Sequence, residues 1–140
     1  MTVSVKGGRI VSVAAKRMKA EHQFEGLNVN IDLMDVTAGK DAVTVQYEYT
    51  TTYLPDVAEM KIVGEAWLVG SPAEQKEILE HWKKNKQLPV QAAESLLTAL
   101  SYTNGSVGTL LAYAINISAP INVARVSLPR DSGVSKNKAG

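Results

Sequence analysis

The sequence predicts an α+β domain in which a four-stranded antiparallel sheet is followed by two helices packed on one of its faces. Three observations predict it. Val43, Val45, Tyr47, Tyr49 and Tyr53 alternate with Thr44, Gln46, Glu48, Thr50 and Thr52, the period of a strand with one face on a core and the other in water. After Leu54-Pro55-Asp56 a second run puts Met60, Ile62, Ala66 and Leu68 on one parity and Lys61 and Glu65 on the other; a short Pro-Asp turn between two such runs makes an antiparallel pair. From Ser71 onward the period is helical, and strands gathered ahead of helices place the helices on one face of an antiparallel sheet.

Residues 1–8 read as a polar lead-in ending in Gly7-Gly8. In residues 9–20, Ile10, Val11, Val13, Ala14 and Met18 fit either period, and the β-branched residues at the start favour a strand. Its first half is apolar on both parities, as in a strand covered on both sides, here by another subunit. Residues 24–36 alternate again, Leu27, Val29, Ile31 and Leu33 against Asn28, Asn30 and Asp32, and 37–41 form a turn. Ser71, Pro72 and Glu74 make an N-cap, a first helical proline and a capping box. The first helix then runs to about residue 86, with Ile78, Leu79 and Trp82 on its apolar stripe and Lys83, Lys84 and Lys86 in the last turn, where the dipole favours cations. A second helix over 90–117 carries Val90, Ala93, Leu96, Leu97, Leu100, Val107, Leu111, Ala114 and Ile115 on one stripe. Gly105 and Gly108 each cost about 1 kcal/mol there, but the stripe holds register, which favours one helix with a bend at 104–105 left open. Residues 118–129 leave the helix at Pro120 and read as extended. The expected organisation is one domain over 1–129 and a disordered polar tail over 130–140.

Composition narrows the function classes. The 140 residues include no cysteine, which removes disulfides, thiolate metal sites and cysteine nucleophiles and favours a cytoplasmic setting. Fifteen Lys and Arg against 14 Asp and Glu lack the basic excess of a nucleic-acid binder. The longest apolar stretch, 107–117, is far short of the ~20 residues a bilayer requires, so no membrane insertion is expected. Ile10 to Ala15 is closed by Lys16 and Arg17 and is too short for a signal-peptide core. His22 and His81 have no companions at metal-ligand spacing. Asp32 and Asp35 lack a surrounding catalytic signature, and neither glycine pair has the spacing of a phosphate loop. The expectation is a protein that is not an enzyme and uses no cofactor and no metal.

Two features point to binding. At Ala66, Trp67, Leu68 and Val69 alternation gives way to a continuous apolar run; this is either a strand end covered by the chain's own helices or an apolar patch for a partner. Off the main stripe of the long helix stand Ala92, Ser95, Thr98, Ala99, Ser101, Tyr102 and Tyr113, with Glu94 the single charge between residues 90 and 117. This is either an ordinary solvated face or one that a second copy of the protein covers, and the sparse charge favours the second copy. Together with Ile10, Val11 and Val13, the residues Ser95, Ala99, Tyr102 and Tyr113 are the expected interface of a homodimer or homotetramer.

The order of four strands, a Gly-Ser stop, a capped helix, a Leu-Pro linker, a long helix and a Pro-containing extended tail resembles the SecB protein-export chaperone family. Gly64-Glu-Ala-Trp-Leu-Val-Gly70 is similar to the family's apolar-aromatic end of the fourth strand. Leu88-Pro89 with Ala92-Ala93-Glu94-Ser95-Leu96-Leu97 is similar to the start of its main helix, and Ile117-Ser-Ala-Pro-Ile-Asn-Val123 to the segment after that helix. The resemblance spans residues 9–128 and is one of architecture more than of motif. It implies an ATP-independent holdase, a dimer of dimers that keeps unfolded polypeptide soluble in apolar grooves; Ala66, Trp67, Leu68 and Val69, where a strand abandons its polar parity, are the expected client contacts. It also implies a motor-ATPase export partner on an acidic sheet face, where this chain has Glu59 and Glu65 straddling Lys61. Alternatives are an oligomeric adaptor binding one folded protein partner and a small-ligand domain with its site between sheet and helix.

Overall fold

The computed structural model describes residues 2–20 and 23–120 and the backbone of 126 and 127. Four strands open the chain, β1 (Ser4–Arg17), β2 (Gly26–Ala38), β3 (Val43–Leu54) and β4 (Ala58–Val69). Helices α1 (Pro72–Asn85) and α2 (Val90–Ala114) follow, then a two-residue strand β5 (Val126–Ser127). The sheet order is β1-β4-β3-β2-β5. The first four strands pair only in antiparallel fashion, as the alternation predicts. β2, β3 and β4 form a local meander, whereas β1 lies beyond β4 at the far edge. β5 lies within the 118–129 stretch read as extended; its pairing, parallel to β2, is what the sequence did not announce.

Strand period decides which face is dry. Odd residues of β3 and even residues of β4 are buried beneath the helices, and Thr44, Gln46, Glu48, Lys61 and Glu65 stand on the opposite, open face. One core cluster joins Val45, Ile62 and Leu68 to Ile78, Trp82, Leu96 and Leu100. A second gathers Tyr53, Val57, Met60, Ala112 and Ile117 at the other end, with Phe24 edge-on to Tyr53 at 4.8 Å between ring centroids. Each fully buried large side chain contributes about 1.5–3 kcal/mol.

Bulges explain the breaks in alternation. Ile10 faces Gly64 and Ser12 faces Val63, leaving Val11 as the extra residue. Ile10 and Val13 therefore share the helix-side face although their parities differ. In β2, Leu33 pairs with Tyr47 and Asp35 with Gln46, so Met34 is the extra residue and Val36 returns to the core. The first strand begins at Ser4, not after Gly8. A Cβ on Gly8 would stand 2.3 Å from the Glu65 carbonyl oxygen, and this close approach is what the glycine permits.

Ser71 caps α1 as predicted: its side chain accepts from the Glu74 N–H, and Glu74 accepts from the Ser71 N–H. Lys86 ends the helix in a left-handed conformation, its N–H on the Trp82 carbonyl. α2 is one continuous helix through Gly105 and ends at Ala114. Its buried ladder is Ala92, Leu96, Leu100, Asn104, Gly108 and Ala112. This turns the predicted stripe: Ala92, expected off it, is 0 % exposed, while Val90, expected on it, is 69 % exposed. Small residues at both ends let the helix lie close to its neighbours. A Cβ on Gly108 would come within 3.1 Å of Pro120, because the chain after the helix doubles back across it. Residues 130–140 and His22 lie outside the described residues, as does the 128–129 end of the expected domain.

Candidate functional site

The predicted contact run does not form one surface. β4 alternation sends Ala66 (3 % exposed) and Leu68 (0 %) under the helices, leaving Trp67 and Val69 half-buried on the open face. Trp67 lies against Gly7 and donates its indole N–H to Glu65 at 3.1 Å. Glu65 also meets Arg9 at 3.4 Å, and Lys61 meets Glu48 at 3.8 Å. Such solvent-facing pairs add little stability. The open face is therefore a threonine-rich sheet with mixed charges and one indole near its β1 edge.

The residues expected at an oligomer interface fall in two groups. Val11, Val13, Tyr102 and Tyr113 are exposed, the two tyrosines at 79 % and 72 %. Ile10, Ser95 and Ala99 are half-buried. Ser95 is engaged within its own chain. It donates to the Val3 carbonyl at 2.9 Å, while the Gln91 amide accepts from the Val3 N–H at 2.8 Å and donates to its carbonyl at 3.0 Å. Ile10 and Ala99 line a cavity of about 470 Å³ between β1 and α2.

A larger concavity than this one lies elsewhere. A cleft of about 570 Å³ opens between the β2 edge and the α1–α2 corner. Ile31 and Leu33 reach it from the sheet, Trp82 and Leu88 from the corner, and Leu96 and Leu97 from α2. The sequence set these residues on three separate apolar stripes; only the corner turns all three toward one space. The left-handed turn at Lys86 makes that corner, and His81 Nδ1 bonds the Gln87 carbonyl oxygen at 2.9 Å, holding the linker. Lys86 Nζ lies 5.4 Å from the centre of the Trp82 ring, a cation–π distance. Asp32, Asp35, Asn85 and Gln87 complete a polar rim. Met34, thrust out by the bulge, stands at the lip.

Two properties define what this cleft accepts. Its inner surface is aliphatic and aromatic, so it takes apolar side chains. Beyond Asn30, the outer edge of β2 has no strand partner among the described residues, so it offers backbone donors and acceptors to an extended chain. Among the described residues no cluster of His, Cys, Asp and Glu could hold a metal ion, and no helix is long and apolar enough to cross a membrane.

No protein-family model matches this chain, and no curated protein matches it. Among solved structures it is similar to the SecB-like chaperone Rv1957 of Mycobacterium tuberculosis, determined in complex with a ChAD peptide from the HigA1 antitoxin Rv1956. The TM-score is 0.59 over 84 % of this chain and 83 % of that one, at 15 % sequence identity. The chain has a SecB-like fold, carried by a strongly divergent sequence.

Proposed function

We propose that this protein is an ATP-independent holdase that binds extended, apolar segments of non-native polypeptide in the cleft between β2 and the α1–α2 corner. One observation carries the reading: an apolar cleft of about 570 Å³ runs beside a strand edge that, beyond Asn30, has no partner among the described residues. Side chains of a client fill the cleft while its backbone pairs with β2, a division of labour that selects extended apolar chain rather than one sequence. Each buried Leu- or Phe-sized side chain contributes about 1.5–3 kcal/mol. The peptide bound to the SecB-like structural neighbour supports a polypeptide-binding role. Binding of this kind uses no catalytic residue and no cofactor, and a cytoplasmic setting belongs to the same reading.

The test is suppression of aggregation of several unrelated denatured proteins at near-stoichiometric ratio, combined with titration of a fluorescein-labelled peptide of alternating leucine and serine. Met34→Asp and Leu97→Ala are expected to weaken peptide binding by roughly tenfold, the loss of about one buried side chain, and Trp67→Ala to leave it unchanged. Protection of no client, or binding insensitive to both cleft variants, would reject the reading.

A second reading, an adaptor binding one folded partner, is favoured by Trp67 on the uncovered sheet face beside Arg9 and Glu65. Loss of capture of a single partner in Trp67→Ala, with the cleft variants silent, would select it.

The proposed assembly is a homodimer or homotetramer through the β1 edge and the exposed face of α2. Val11, Val13, Tyr102 and Tyr113 are exposed there, with Leu110 between the two tyrosines. A groove that holds one segment per subunit gains avidity when subunits associate.

A further inference from the structure

The bulge in β2 places an oxidisable side chain at the mouth of the cleft. Leu33 pairs with Tyr47 and Asp35 with Gln46, so Met34 has no opposite residue on β3. It is 56 % exposed and lines the cleft beside Leu33. The sequence holds four methionines, and those among the described residues differ sharply in access. Met60 is 1 % exposed, in the core cluster with Tyr53. Met18 is 40 % exposed but lines neither the cleft nor the cavity beside β1. Among the described methionines, Met34 alone joins an accessible thioether to the apolar surface of the cleft.

We propose that Met34 is an oxidation site for hydrogen peroxide, and that its sulfoxide lowers the affinity of the cleft for apolar polypeptide. In the step, a lone pair of Met34 Sδ attacks one peroxide oxygen. An S–O bond forms and the O–O bond breaks. The proton on the transferred oxygen passes to the departing hydroxide, which leaves as water. Sulfur gives up two electrons and the peroxide takes them, so thioether and peroxide become sulfoxide and water with no other reactant. The reaction needs access to sulfur, which is why exposure orders the methionines. A thioether is apolar and polarisable, and the flexible side chain packs against irregular partners. Its sulfoxide is a strong acceptor that must keep its water or find a donor. An apolar client side chain seated on it strips that water and supplies no donor. Sulfoxide reductases return the thioether, one enzyme for each epimer, so the change is reversible. The oxidation site is independent of the holdase reading; the loss of affinity rests on it.

The experiment treats the full chain with hydrogen peroxide and follows each methionine by peptide mapping and mass spectrometry. Met34 is expected to oxidise several-fold faster than Met60; a rate at Met34 no faster than at Met60 overturns the site. Binding of the fluorescein-labelled leucine-serine peptide is then compared before and after treatment. The treated parent is expected to bind roughly three- to tenfold more weakly, up to the loss of about one buried side chain. Sulfoxide reductases of both epimer specificities are expected to restore the starting affinity. Met18→Leu is expected to keep the response and Met34→Leu to lose it, whatever its own starting affinity. Unchanged affinity in the treated parent, or a response that persists in Met34→Leu, overturns the loss of affinity. Far-UV circular dichroism is expected to be the same before and after treatment; unfolding on treatment assigns the loss to the core and overturns it as well. Oxygen taken up at Met34 by a chain that binds no peptide in either state upholds the site and rejects the holdase reading instead.

Discussion

Gly8 and Gly105 are the same residue in the sequence and opposites in the structure. At Gly8 a Cβ would meet the Glu65 carbonyl oxygen at 2.3 Å, whereas at Gly105 nothing lies within 4 Å. Gly8→Ala is expected to destabilise by about 1–3 kcal/mol, since strand β1 would have to shift on β4. Gly105→Ala is expected to stabilise by about 0.5–1 kcal/mol, because it removes unfolded-chain freedom and improves helix propensity within a continuous helix. Chemical denaturation of the two variants gives the signs; a destabilising Gly105→Ala would mean that α2 is not helical there. The same local reading separates Trp67 from its neighbours. Four consecutive apolar letters look like one patch, yet a strand assigns alternate letters to opposite sides. Only Trp67 and Val69 remain on the open face.

At the scale of the element, the start of α1 is the most legible feature of the chain. Every part of its signal is local: Ser71, Pro72 and Glu74 make the cap without help from distant residues. Ser71→Ala is expected to cost about 1 kcal/mol. Glu74 does more than close the capping box. Its carboxylate accepts from the Ser71 N–H and from the Thr2 N–H, each at 2.8 Å, and those bonds hold its pKa below the ordinary value. A depressed carboxylate pKa gives stability that is present above the unfolded-state value and lost as pH falls through the folded one. Glu74→Gln is therefore expected to flatten the acid limb of the stability profile below about pH 4.5, leaving the neutral plateau lower, as measured by denaturant midpoints at stepped pH. An unchanged acid limb would show that the bonds from Ser71 and Thr2 do not favour the charged form.

For the whole molecule, two outcomes follow from how the layers cover one another. Tyr47, Tyr49 and Tyr53 lie between sheet and helices, and burial raises the pKa of all three, Tyr53 from 10.0 to about 12. Tyr53 also donates to the Ser118 carbonyl at 2.6 Å. A raised folded-state pKa gives stability that is complete below the unfolded value and lost as pH climbs toward the folded one. Stability is expected to fall between pH 10 and about 12, with tyrosinate absorbance of the buried rings appearing together with unfolding. Ionisation of these three rings in a chain that stays folded would contradict their burial. The second outcome is assembly. Light scattering at micromolar concentration is expected to show a dimer or tetramer, and Tyr102→Asp with Tyr113→Asp to reduce it to the monomer; a 15.1 kDa species alone would reject the assembly.

Sequence by itself determined β2, β3, β4 and the start of α1, because period two and the cap are written in neighbouring residues; it misplaced the start of β1 and the end of α2. It set β3 and β4 as a pair, α1 from its first residue, and the order of strands before helices. Tertiary structure decided what needs partners distant in the chain. The β1–β4 pairing, the glycines that permit it, and the bulges at Val11 and Met34 all depend on a facing strand. So does the choice of Ala92 over Val90 for the buried face of α2, which is set by closeness to the neighbouring layer and not by hydrophobicity. The candidate cleft was invisible for the same reason. Its apolar residues read as core on three separate elements, and a concavity is the space those elements leave between them, which no single stretch of sequence encodes.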